Sequence, residues 1–127
     1  MPNYDASFFD PPAPVARVTL RHPHNGATVS DVPLLLDTGA DVTLLPRTAV
    51  ERLGVPLLAD QQYELMGFDG SKSFAPVVML DMLFLRWAFR GRYLLIEAER
   101  GILGRDILDH VAVLLDSPQQ HWLERVP

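Results

Sequence analysis

Pro33-Leu34-Leu35-Leu36-Asp37-Thr38-Gly39-Ala40-Asp41-Val42-Thr43-Leu44-Leu45-Pro46 is the stretch around which the whole chain is read. Two apolar runs, residues 34–36 and 42–45, flank a polar turn that carries Asp37, Thr38, Gly39 and Asp41. The runs suit buried strands, and the glycine relieves backbone crowding between them. Asp37 is therefore expected at the end of a buried strand, among leucines, where an ionised carboxyl is costly unless something specific uses it. A turn between strands also welcomes Asp, Thr and Gly on structural grounds alone. The tripeptide takes on functional meaning only with its surroundings.

Immediately downstream, Pro46 suits the first turn of a short helix over residues 47–53, with Ala49, Val50 and Leu53 forming its buried face and Gly54 its C-cap. Upstream, residues 15–20 alternate as a strand does, and Asn25-Gly26 is a favoured tight-turn pair. Together they predict a β-hairpin leading into the strand that ends at Asp37. A second hairpin is predicted from residues 62–68 and 73–78, turning at Asp69-Gly70. Further strands are expected over residues 77–85 and 92–96, joined through residues 87–91, then over 111–115 and 122–126, joined across 117–120. Residues 1–14 contain Pro2, Pro11, Pro12 and Pro14 and read as an irregular leader able to dock through Phe8 and Phe9. Its composition also suits an extended segment that lies in a groove or is removed by self-cleavage.

Composition narrows the function. At 127 residues, the chain suits one compact domain, and 48% hydrophobic with 21% charged residues is the balance of a globular protein. A net charge of −5 with scattered arginines offers no basic stripe, so neither nucleic acid nor an anionic membrane is expected as partner. The absence of cysteine excludes disulfides, thiolate metal sites and cysteine nucleophiles, and agrees with a cytoplasmic location. The apolar region 77–96 is interrupted by Asp81, Arg86, Arg90 and Arg92, which argues against a membrane span. His22 and His24 lie two apart without an evident third ligand and read as solvated loop residues, while His110 and His121 read as surface or packing residues.

Leu35-Leu36-Asp37-Thr38-Gly39-Ala40-Asp41-Val42-Thr43 resembles the active-site loop of the retropepsin-like aspartic proteases. Ile102-Leu103-Gly104-Arg105-Asp106-Ile107-Leu108 resembles that family's closing signature, an apolar pair, Gly-Arg-Asp/Asn and a second apolar pair. Both occur in the family's order. The short, evenly spaced strands and the resemblance together imply an all-β fold: a small closed acid-protease barrel with a flap hairpin and one or two short helices, spanning residues 15–127. The chain continues further past Val111 than the viral enzymes do, as the cellular and bacterial members resembling it also do. The seam between subunits is then either interleaved terminal strands or the C-terminal hairpin alone.

The resemblance implies a mechanism. Aspartic proteolysis needs two carboxyl groups sharing one proton, one to take a proton from water and one to give a proton to the scissile carbonyl oxygen. Asp37-Thr38-Gly39 occurs once, so the family's mechanism requires a homodimer with Asp37 and its twin facing across a two-fold axis. By resemblance, Asp37, Thr38 and Gly39 are the catalytic set, with Thr38 fixing the loops across the axis. Ala40, Asp41 and the flap tip Gly67, Phe68, Asp69 and Gly70 contact an extended peptide or protein substrate. Gly104 and Arg105 support the loop, and Arg105 pairs with Asp41. No metal or organic cofactor is needed, since water is the nucleophile. Two other readings stand beside this one: a non-catalytic peptide-binding module that retains the fold, and a metal- or phosphate-dependent hydrolase using Asp37 and Asp41. The second lacks a phosphate-cradling glycine loop or a nearby histidine cluster.

Overall fold

The computed structural model describes residues 2–66 and 69–126. Its elements in chain order are β1 (Tyr4–Asp5), β2 (Ala13–Arg21), β3 (Thr28–Leu36), β4 (Leu44–Pro46), α1 (Arg47–Leu53), β5 (Leu57–Met66), β6 (Lys72–Phe84), β7 (Trp87–Ile96), β8 (Gly101–Leu103), α2 (Arg105–Leu108), β9 (Val113–Asp116) and β10 (His121–Glu124), with a 3-10 turn at Ser117–Gln119. The expected all-β architecture is what the chain adopts.

One sheet runs β1-β2-β3-β8-β4-β7-β6-β5, and β2 also pairs with β6. That extra pairing closes β2, β3, β8, β4, β7 and β6 into a ring, a barrel with β1 and β5 lying outside it. The alternation read in β2 holds: Val18 and Leu20 are buried and Arg17 is exposed. With Val32, Leu34, Leu45, Val78, Leu80, Met82, Leu95 and Leu103 they form the main core. Each such side chain withdrawn from water contributes roughly 1.5–3 kcal/mol before chain entropy is counted. A smaller cluster, Ala75, Val77 and Leu94 with Val42, Leu44 and Leu65 packed on it, lies where the β5–β6 hairpin meets the barrel.

α1 forms as its residues predict. Ala49, Val50 and Leu53 are buried, and Gly54 ends the helix at φ 82°, its N–H donating to the carbonyls of Val50 and Glu51. The Asn25-Gly26 turn likewise holds, with Gly26 at φ 76°.

Three expectations are corrected. Residues 87–91 are not a connection: β6 continues to Phe84, turns at Leu85-Arg86, and Trp87 opens β7 directly. The reason is Asp81. The residue is 2% exposed and its carboxylate is clasped by Arg90 Nε at 2.8 Å and Arg21 Nε at 3.2 Å, so charged residues that read as a loop instead tie three strands together. Residues 73–78 and 77–85, read as separate strands, are one continuous β6.

The leader, finally, is paired. Tyr4 and Asp5 form β1 against Pro14 and Ala13, the Tyr4 N–H donates to the Gln120 carbonyl at 2.8 Å, and the Trp122 N–H donates to the Pro2 carbonyl at 3.0 Å. The Asp5 carboxylate accepts from the Ser7 N–H and hydroxyl and the Phe8 N–H, and it meets Arg100 Nε at 3.3 Å. The Arg100 guanidinium stacks over the Phe8 ring at 3.9 Å. No helix among the described residues is long and apolar enough to cross a membrane.

Candidate active site

β3 and β8 run parallel, with Leu36 beside Leu103, and both deliver their next residues to one place. The Asp37 N–H donates to the Leu103 carbonyl at 3.0 Å, so Asp37 emerges where the sheet ends and is half-buried there. Its Oδ1 accepts from the Gly39 N–H at 2.9 Å, and the Ala40 N–H closes the turn on the Asp37 carbonyl at 3.2 Å. The Asx-type turn aims the carboxyl by backbone alone. A Cβ on Gly39 would sit 3.2 Å from that same Oδ1, tight against the carboxyl the turn is built to hold.

The Gly104-Arg105-Asp106 segment braces the loop at several points. The Arg105 N–H donates to the Ala40 carbonyl at 2.9 Å, and one Arg105 guanidinium NH donates to the Thr38 carbonyl at 2.6 Å. This corrects the expected Arg105–Asp41 pair. Arg105 opens α2 directly beneath the turn, so its guanidinium meets the carbonyl at the loop's tip, while Asp41 is exposed.

Thr43 and Asp106 complete the brace and were not singled out from sequence. Thr43 is 1% exposed; its hydroxyl donates to Asp106 Oδ1 at 2.7 Å and accepts from the Gly104 N–H at 3.1 Å, while its own N–H donates to Asp106 Oδ2 at 3.1 Å. A lone threonine inside an apolar run was the available signal, because a buried hydroxyl demands a partner. Gly104 is small of necessity. A Cβ there would lie 2.5 Å from the Val42 carbonyl oxygen.

Across from the loop stands the β5–β6 hairpin, with Met66 paired to Lys72 and Gly70 at φ 83° in its turn. The Asp69 carboxylate accepts from the Ser71 N–H, and the Ser71 hydroxyl first and this N–H second hold it below its usual range. Gly67 and Phe68 fall outside the described residues. Met66 and Phe74 are 69% and 65% exposed, apolar surface displayed on the hairpin itself. A cavity of about 360 Å³ opens between its base and the loop, walled by Val42, Thr43, Gln61, Gln62 and Arg92. A hollow of about 660 Å³ under the leader, against Tyr4, Phe84 and Trp122, has no share of the Asp37 loop.

His22 is capped by its own turn, its Nδ1 accepting from the His24 N–H at 3.1 Å. His121 lies 3.6 Å from the Asp116 carboxylate and His110 faces the Phe89 ring. Among the described residues, no three histidine, aspartate or glutamate side chains gather as a metal site would require.

Comparison with known proteins agrees with this geometry. The family model described as aspartyl protease matches residues 18–107. Among solved structures, the chain is similar to EIAV protease complexed with the inhibitor HBY-793, at 25% identity and a TM-score of 0.56, over 77% of this chain and 86% of that one. No curated protein matches the chain.

Proposed function

The chain belongs to the aspartyl protease family and has its retropepsin-like fold, and from that premise we propose that it is an endopeptidase assembled from two copies, each contributing one Asp37. The observation that carries this reading is the Asp37 turn: a half-buried carboxyl held by the Gly39 N–H on a loop braced from beneath by Gly104, Arg105 and Asp106. A braced carboxyl costs no reorganisation when it acts.

In the proposed reaction one Asp37 carboxylate takes a proton from water, which attacks the scissile carbonyl carbon. The carboxylic acid of the second Asp37 gives its proton to the carbonyl oxygen. Two like carboxyls side by side hold one proton between them, so the rate should peak while a single proton is shared and fall on either side. Gly39, without a side chain, leaves room for the substrate backbone. An extended peptide would lie between the loop and the β5–β6 hairpin, bonding as an added strand, with Ala40, Asp41 and the hairpin tip including Asp69 and Gly70 against it. The hairpin would close as a lid.

Incubation with an unstructured protein, from mildly acidic to neutral pH, tests the reading. Cleavage that survives a chelator and disappears in Asp37→Asn supports it. A well-folded dimer that cleaves nothing across pH and substrates overturns it in favour of a peptide-binding module.

A further inference from the structure

We infer that the outer face of β2, β6 and β7 is a docking surface for an acidic segment that flanks the cleaved site of a protein substrate; the inference rests on the peptidase reading above.

Arginines that lie scattered along the chain are gathered here by strand pairing. Arg17, Thr19 and Arg21 alternate on the side of β2 away from the core, which Val18 and Leu20 enter. On β6 the core takes Val78, Leu80 and Met82, so Met79 and Asp81 face outward. The register then sets Arg92 beside Met79 and Arg90 beside Asp81 on one edge, and Arg21 beside Asp81 on the other. Four of eleven basic residues thus share one sheet face in a chain whose net charge is −5. The carboxylates near them are Asp81 in their midst, Asp106 across the cavity that Arg92 walls, and Asp31 in the bulge of neighbouring β3.

Two of the four arginines are fixed in place. Arg21 and Arg90 each donate to the buried Asp81 carboxylate through Nε and Nη2, and among the described residues neither Nη1 has a protein partner. One carboxylate balances one guanidinium, so this trio keeps a positive charge with donors still to give. The Arg21 and Arg90 side chains are 39% and 63% exposed, and Arg17 and Arg92 are exposed as well.

The face starts at the cleft. Val77 and Leu94, the next pair on the same side of β6 and β7, wall the cavity between the hairpin base and the Asp37 loop, and Arg92 walls it with them. A peptide held between loop and hairpin that runs on past the hairpin base meets Arg92 first, then Arg90 and Arg21, then Arg17. By strand spacing the four span about 20 Å, the length of roughly six extended residues.

An acidic peptide is the occupant this face fits. Guanidinium groups take carboxylates two bonds at a time. Half-buried Met79 and Leu83 between them offer apolar contact to the stems of glutamate side chains. A long nucleic acid fits less well, because a net charge of −5 repels it over the rest of the surface.

The test uses a cleaved peptide extended at each end by six glutamates, its six-glutamine counterpart, and hexaglutamate alone. With the wild-type chain, the glutamate flanks should lower KM about 10-fold at about 0.05 M salt with kcat unchanged, and about 0.5 M salt should abolish the difference. In Arg17→Gln/Arg92→Gln the two peptides should share one KM. Hexaglutamate should shift the Nε–H NMR signals of Arg21 and Arg90 in the wild-type chain, and hexaglutamine should not; the same spectra report that each variant is folded. Equal KM values for the two wild-type reactions, with no shift, would overturn the docking face and leave the peptidase standing. Shifts in a chain that cleaves no peptide would overturn the peptidase and the substrate role while leaving an acidic-peptide surface. Tighter binding of a ten-nucleotide single-stranded RNA than of hexaglutamate at those signals would overturn the peptide in favour of nucleic acid.

Discussion

The Thr43 hydroxyl and the Asp106 carboxylate meet at 2.7 Å across 63 residues of chain, and the same hydroxyl receives the Gly104 N–H. One buried oxygen thus joins the strand after the Asp37 loop to the segment beneath it. Thr43→Val keeps the shape and removes the oxygen, leaving a buried N–H without a partner and a carboxylate short of one. Unfolding free energy should fall by about 2 kcal/mol, measured by denaturant titration, whereas Thr43→Ser should retain most of it. Equal stability of the valine and wild-type chains would show that the hydroxyl carries no such role.

Gly104 tests the same brace sterically. The added methyl of Gly104→Ala meets backbone at Val42, which no rotamer change relieves, so the loop must move. Destabilisation of about 1–3 kcal/mol is expected. Because displacement near 1 Å is enough to spoil catalytic alignment, peptide cleavage should fall about 100-fold. Gly26→Ala, strained by its φ of 76° rather than by any contact and remote from the Asp37 loop, serves as the control for lost stability and should leave cleavage unchanged.

Asp5 supplies a pH test. Its carboxyl is lowered to about 2, chiefly by the Ser7 hydroxyl, then by the Phe8 and Ser7 N–H groups and the Arg100 charge. A carboxyl with a folded value below its unfolded one stabilises the fold above the unfolded value, about 3.9, and that contribution is lost as pH falls towards the folded value. The leader should therefore loosen between about pH 4 and pH 2. The amide signals of Ser7 and Phe8, followed by NMR, should shift in that window and be flat in Asp5→Asn. Movement of the same size in the variant would assign the transition to another group.

The parts legible in sequence are those whose causes are local. Gly54 ends α1 because a left-handed residue is needed directly after Leu53, and the Asp37 turn closes on its own Gly39 N–H. What was not legible depends on partners far along the chain. Nothing near Arg90 signals that Asp81 is buried beside it, and nothing near Pro2 signals Trp122. Arg105 shows the limit of motif transfer. The residue sits where the resemblance puts it, beneath the loop, yet it bonds the Thr38 carbonyl, because the entry of α2 at Ala40 sets its reach.

The packing of the β5–β6 hairpin has a consequence for how sequence change is tolerated. Its base rests on a separate apolar cluster, Ala75, Val77 and Leu94, outside the set that fills the barrel. Local opening of the hairpin can then proceed at a small fraction of the free energy needed to unmake the barrel. In the proposed peptidase, substitutions there would be free to retune which peptides are admitted, and how quickly they leave, while the residues that keep the chain folded stay as they are.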